Sequence, residues 1–303
     1  MSNRLRAPWS LPAIALTLLA GCAAQMQPVA DFGASANHLA AAYKPFTSGL
    51  EDSCEQKQRY VALSAPGNYD DEVVWRDAAT FCAQFRQAGA DAAALGDGLA
   101  AYAVALVKLS GAKATVFDGD IGNVSTQLGT LTHDGAPVIP SEDLNVATKV
   151  LRATALLVEE GKIQTLTRST LQDNQGALEV VVNAMKRYAD KVYDHQLADT
   201  RTILEGEHAG VVAASNAAAA SDLPRVLPFR LAQPALRADI DANKQAHAHV
   251  LAFDDAADAL LKAHADLIAN FDTLSGVKKL QLVQDFVAKV QAQIGRASCR
   301  ERV

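Results

Sequence analysis

The chain is short of aromatic side chains, which make up 6% of its 303 residues. Strands draw on Val, Ile, Tyr and Phe, whereas Ala and Leu favour helix, and this chain is rich in that pair. It also lacks the short motifs that carry chemistry. There is no Gly-rich phosphate loop, no His-Glu-x-x-His and no Gly-x-Ser-x-Gly, so the nucleotide-binding, zinc-protease and hydrolase readings that rest on them fall away. Basic side chains are few, with 28 Lys+Arg against 34 Asp+Glu. Five of the arginines and one glutamate lie in the two ends, which leaves the body a net charge of about −10. Phosphate backbones need clustered Lys and Arg, so no nucleic acid is expected as a partner. The same charge argues against binding anionic lipid headgroups.

The beginning of the chain has three parts. Arg4 and Arg6 give a positive start, Leu11 to Leu19 is a short apolar run, and Leu19-Ala20-Gly21-Cys22 follows. Such a sequence reads as a secretory signal, and the apolar run is shorter than the roughly 20 residues a spanning helix needs. The string Leu19-Ala20-Gly21-Cys22 resembles the lipobox of bacterial lipoproteins at all four positions. The resemblance implies that residues 1–21 are removed. It also implies that the Cys22 sulfur carries a diacylglyceryl group and that the chain is held to a membrane outside the cytoplasm. Several acyl chains, at about 0.8 kcal/mol per buried methylene, make release negligible. Ala23 after the cysteine resembles the outer-membrane sorting pattern, which faces the body toward the periplasm. The general look is that of uncharacterised proteobacterial helical lipoproteins. Residues 294–303, IGRASCRERV, read as a sequencing adapter translated in frame. They are set aside as non-native, Cys299 with them.

Helical periodicity dominates what lies between. Val74, Ala78, Phe81, Phe85, Ala88, Ala92, Leu95, Leu99, Tyr102, Leu106 and Leu109 recur in alternating steps of four and three. That is a heptad seam, the mark of bundle packing. Asp70 and Asp71 suit its start and Ser110-Gly111 its end. The preceding segment, about Asp31 to Leu63, carries Phe32, Ala36, Leu39, Tyr43, Phe46 and Leu50 at the same spacing, with Pro45 expected to kink it. Ala65 to Tyr69 reads as a turn, so the two segments form an antiparallel hairpin. Cys54 and Cys82 lie equally far from Asn68 on either side, hence at one height on the hairpin. In an oxidising compartment they are expected to form a disulfide, and closing that loop is worth about 3.6 kcal/mol.

Further on, a short helix is expected over Thr115–Leu131, a loop at His133–Pro140, a helix over Ser141–Glu159 and, after an interruption at Gly161, a second stretch to Leu171. A very long helix is expected over Gln175–Ala220, with Leu178, Val181, Met185, Tyr188 and Val192 on one face. Ser221–Gln233, with Pro224 and Pro228, reads as a connection before a helix that starts at Pro234 and runs to about Leu274. A last helix spans Val277–Gln293. The whole is expected to be all-α, an elongated antiparallel bundle of long helices over 31–293, behind a lipidated tether at 22–30.

Candidate chemistry is thin. Glu205-x-x-His208 has the spacing of a di-iron ligand pair but lacks the second pair such a site needs. Ser110-x-x-Lys113 and Ser275-x-x-Lys278 lack a companion Lys-Thr-Gly. Asp118-x-Asp120 has glycines where a calcium loop needs ligands. His247, Asp254 and His264 share a seam with Leu236, Ile240, Val250, Ala257, Leu261, Ile268 and Phe271. A metal or small ligand held there is the alternative reading; buried, hydrogen-bonded polar positions are the plainer one. No cofactor and no catalytic residue is expected. The function expected is a membrane-anchored body that docks an envelope protein partner or spaces components.

Overall fold

The computed structural model describes residues 13–65, 67–111, 132–133, 136–137, 154, 158, 168–217, 223–272, 284 and 286–291, with side chains described from Met26 onward. Helix α1 runs Ala13–Ser64 and α2 Asp71–Leu109. Helix α3, Arg168–Tyr188, passes through a π-helical turn, Ala189–Asp194, into α4, His195–Ala217. Helix α5 covers Leu223–Asn270, and residues 286–291 are helical. A two-residue antiparallel ladder pairs Thr132 with Pro137 and His133 with Ala136, three of them within the expected loop His133–Pro140. The expected helices over Thr115–Leu131 and Ser141–Leu171 lie mostly outside the described residues, as do Lys113, Asp118, Asp120, Ser275 and Lys278. The protein is an all-α bundle.

The α1–α2 hairpin forms as its two seams require. Phe32, Ala36, Leu39, Tyr43, Phe46 and Leu50 are all buried, facing Ala88, Ala92, Leu95, Leu99, Tyr102 and Leu106. The Asp70 carboxylate accepts from the Val73 N–H at 3.2 Å, which satisfies one of the free donors of α2's first turn. Gly111, at φ +79°, closes its other end in a conformation that side chains resist. The two helices approach so closely that a Cβ on Gly33 would lie 2.7 Å from the Ala103 carbonyl oxygen, and one on Gly89 2.2 Å from that of Thr47. Helix α1 continues through Pro45. It also starts ahead of the expected bundle boundary: Val29 and Ala30, assigned to the tether, are buried in the core.

Helix α3 packs on α2 and α5, while α4 packs on α1 and α5. Three expectations need correction here. The long helix begins at Arg168, not Gln175. Its fully buried positions pass to Ala189, Tyr193 and Leu197, because the π-helical turn adds a residue, and Val192 is left only partly buried at the edge of the same core. The segment taken for a connection, Ser221–Gln233, is helical from Leu223. Pro224 sits in the first turn, where its missing N–H has no partner to lose, and α5 continues through Pro228 and Pro234.

Five aromatic rings gather at one place. Tyr43 stacks on Phe253 at 5.4 Å and meets Phe46 and Tyr188 edge-on at 6.0 Å each. Phe46 in turn meets Phe253 at 5.3 Å and Tyr193 at 5.5 Å. Such contacts add to burial in a core already rich in area per side chain. Among the described residues the far end has a small cluster, Leu204, Leu236 and Ile240, flanked by Tyr60 and Val211.

Candidate functional site

Helix α5 places the three seam residues at different depths. A straight helix drifts about 20° per heptad against a 3.5-residue repeat, and after Val250 the buried face moves to Phe253, Ala257, Leu260, His264 and Leu267. Asp254 and Leu261 therefore turn toward the edge of the interface and are only partly buried.

Each of the three finds a separate partner. The buried His264 shares a hydrogen bond with the Tyr102 hydroxyl, Nε2 to Oη 2.8 Å, and lies against the Phe32 ring at 5.7 Å. Burial lowers its pKa to about 4, so the ring is neutral at ordinary pH. Burial also holds the Tyr102 phenol in its protonated form. His247 contacts Asp194 of the π-helical turn, Nδ1 to Oδ1 2.6 Å. Asp254 pairs with Lys186 of α3 at 3.2 Å, and Lys186 also reaches Asp258 at 2.5 Å. Burial depresses the Lys186 ammonium, but these two carboxylates more than offset that and leave its pKa above the ordinary value.

Among the described residues the three side chains meet three separate partners, Tyr102, Asp194 and Lys186. A cavity of about 390 Å³ lies among Asp258, Lys262, Ala263, Phe286 and Lys289 and includes none of them. No group of three His, Cys, Asp or Glu side chains is placed to hold a metal among the described residues. Glu205 pairs with Lys244 at 3.5 Å. The Ser110 hydroxyl donates to the Val107 carbonyl at 2.6 Å, which occupies it as a helix-end cap.

Between the aromatic core and the far end lies a buried polar layer. Ser53 and Thr200 hydroxyls meet at 2.9 Å, and Thr200 also donates to the Ser53 carbonyl at 3.1 Å. The Asn243 amide donates to the Leu197 carbonyl at 2.9 Å. These contacts fix the register of α1, α4 and α5, because any slip would leave the groups unpaired in a dry interface. Beyond the layer, the Cys54–Cys82 disulfide joins α1 to α2 with a Cα–Cα distance of 5.9 Å, at the pair the hairpin symmetry predicts. Lys57 reaches Asp199 at 2.8 Å and Tyr60 donates to Asp239 at 2.6 Å. Ser64 donates to Glu207.

This far end is where the surface turns apolar. Leu63, Tyr69, Trp75 and Phe81 expose about half of their area on the α1–α2 hairpin, and Leu227, Phe229 and Leu231 are exposed on the first turns of α5. Phe81 had been expected in the seam. Cys82 occupies the buried position instead, because the bridge to Cys54 turns that face of α2 toward α1. The α5 surface was missed because its prolines pointed to a connection, although Pro and Leu recur there at helical spacing. Helix α2 has the length and apolarity of a spanning helix, with mean hydropathy 1.5 over its best window, but 72% of that window is buried in the bundle. Cys22 lies on α1 ahead of the first buried positions; its side chain is outside the described residues.

Comparison with known proteins finds no family model, no curated protein and no solved structure that matches the chain.

Proposed function

We propose that the protein is a lipid-anchored spacer of the bacterial envelope. It is held at Cys22 to the outer membrane and presents the far end of its bundle to a protein partner in the periplasm. The observation that carries this reading is that, Leu251 apart, the exposed large apolar side chains among the described residues gather toward one end. Leu63, Tyr69, Trp75 and Phe81 lie at the end of α1 and start of α2, opposite to the end that bears Cys22. Large exposed apolar patches mark contact sites in soluble bodies. From Cys22 to Ser64 the helix rises roughly 60 Å, enough to carry that patch well clear of a membrane surface.

The test combines two readouts in cells. The chain is labelled with a clickable palmitate, and benzoyl-phenylalanine in place of Phe81 is activated by light. The reading expects acyl label that disappears with Cys22→Ser, and a discrete crosslinked adduct with a second protein. An unlabelled, soluble chain contradicts the anchor, and light-activated chain without an adduct contradicts the docking end.

A further inference from the structure

The first turns of α5 carry a pattern opposite to that of a core helix. Pro224, Leu227, Pro228, Leu231, Pro234 and Ala235 follow helical spacing along one face, and every one of them is exposed. Leu231 is 69% exposed, the highest value among the large apolar side chains of the described residues. On the opposite side Val226, Leu236 and Ile240 are buried. The helix is thus apolar both inward and outward over these turns, although only the inward face has a partner among the described residues.

The charges around the outward stripe are of one sign. Arg225, Arg230 and Arg237 flank it on both sides at 100° per residue, and all three are exposed. No acidic residue occurs between Leu223 and Ala238. This is the reverse of the chain's overall charge, so the average that argued against anionic headgroups conceals a local basic segment. An apolar stripe edged by arginines is the arrangement by which a helix lies in a lipid interface, with its apolar side among the acyl chains and its guanidinium groups at the phosphates. A convex stripe offers no pocket for a protein side chain, whereas a lipid surface deforms to meet it.

We propose that the outward face of α5 from Pro224 to Arg237 is a binding surface for an anionic phospholipid membrane. This surface does not depend on acylation at Cys22. If the anchor holds as well, the bundle contacts lipid at both ends, since α5 begins at the end farthest from Cys22.

The proposal is tested with the full chain carrying Cys22→Ser, which leaves no thiol to acylate at that position. A Leu231→Trp change reports on the stripe by difference from its parent. The probes are vesicles of phosphatidylcholine alone, and of phosphatidylcholine with one part in three phosphatidylglycerol. The anionic vesicles should shift the emission of the added indole to shorter wavelength, and brominated acyl chains should quench it. Replacing Arg225, Arg230 and Arg237 together by Gln should weaken the response roughly a hundredfold. High salt should weaken it as well. Arg230 Nε also donates to the buried Ser215 hydroxyl at 3.4 Å, so the thermal midpoint of each variant is measured in parallel and the binding comparison is made between variants that keep the parent's. An indole whose emission does not move with anionic vesicles overturns the proposal and leaves the stripe to a protein groove. A response equal on neutral vesicles, or untouched by the arginine changes, overturns it too.

Discussion

Helix α1 is buried at six seam positions between Phe32 and Leu50, and at none after Cys54. Helix α2 mirrors it. From Asp71 to Gln87 only Ala78 and Cys82 are buried, whereas most positions from Ala88 to Leu109 are. The half nearer Cys22 is closed by packing, from Phe32 against His264 and Phe286 to the interlocked rings of Tyr43, Phe46, Tyr188 and Phe253 at mid-length. The other end is closed by a disulfide, the Lys57–Asp199 pair and two hydroxyl contacts to carboxylates. Exposed ion pairs are worth about 0–1 kcal/mol each, so the covalent bridge dominates there. A helix pair held this way need not bury its apolar side chains, which leaves them available for contact.

The largest expected effect breaks the packed end. Phe253→Ala removes a fully buried ring that touches Tyr43 and Phe46, and should cost about 3–5 kcal/mol in urea unfolding. Leu231→Ala at the far end should stay within about 0.5 kcal/mol. Equal losses at the two sites would erase the comparison.

Removing the bridge comes next. Cys54→Ser with Cys82→Ser should cost about 3.6 kcal/mol if the whole fold unfolds as one unit. A smaller loss of global stability, with rapid proteolysis confined to the α1–α2 turn, would show that the far end opens alone.

The third test uses pH. The folded-state pKa of His264, about 4, lies below the ordinary 6.5, so the unfolded chain binds a proton more readily. Stability conferred by the neutral ring is complete above pH 6.5 and declines as pH falls toward 4, by on the order of 3 kcal/mol across that window. His264→Phe should flatten that part of the stability profile, as measured by thermal unfolding at a series of pH values. An unchanged slope would place the titration elsewhere.

A smaller effect sharpens the contrast along the hairpin. Gly89→Ala sets a methyl against the Thr47 carbonyl oxygen and should cost about 1–3 kcal/mol. Phe81→Ser, eight residues toward the exposed end, should change stability by no more than about 0.5 kcal/mol in the same unfolding assay.

Where packing and sequence spacing agree, the sequence alone was enough to read the fold. The α1–α2 seam from Ala88 onward, its Asp70 cap, its Gly111 stop and the Cys54–Cys82 pair all follow from heptad spacing and symmetry about a turn, whereas Val74, Phe81 and Phe85 at its start are not fully buried. It failed where helix geometry departs from that spacing. The π-helical turn at Ala189–Asp194 moved the fully buried position from Val192 to Tyr193, and no residue there announces the extra backbone step. Slow drift along α5 put Phe253 in the core and took Asp254 out of it. The prolines near the start of α5 suggest a break, yet only Pro224 lies in the first turn, where no hydrogen bond is lost, and the helix continues through Pro228 and Pro234 with the exposed stripe on it. The seam histidines were legible as buried or edge positions. Their separate partners, Tyr102 and Asp194, could not be read, because each lies on another element.

Residue-resolved hydrogen exchange on the oxidised and the reduced protein tests the two-ended account most directly. Amides within Leu39–Leu50, Leu95–Leu106, Leu178–Tyr188 and Phe253–Leu267 should exchange only through global unfolding. Those within Val73–Phe85 and Arg225–Leu236 should exchange through local opening, and reduction should speed the first of these two segments further. Uniform protection along α2 and α5, unaffected by reduction, would contradict it.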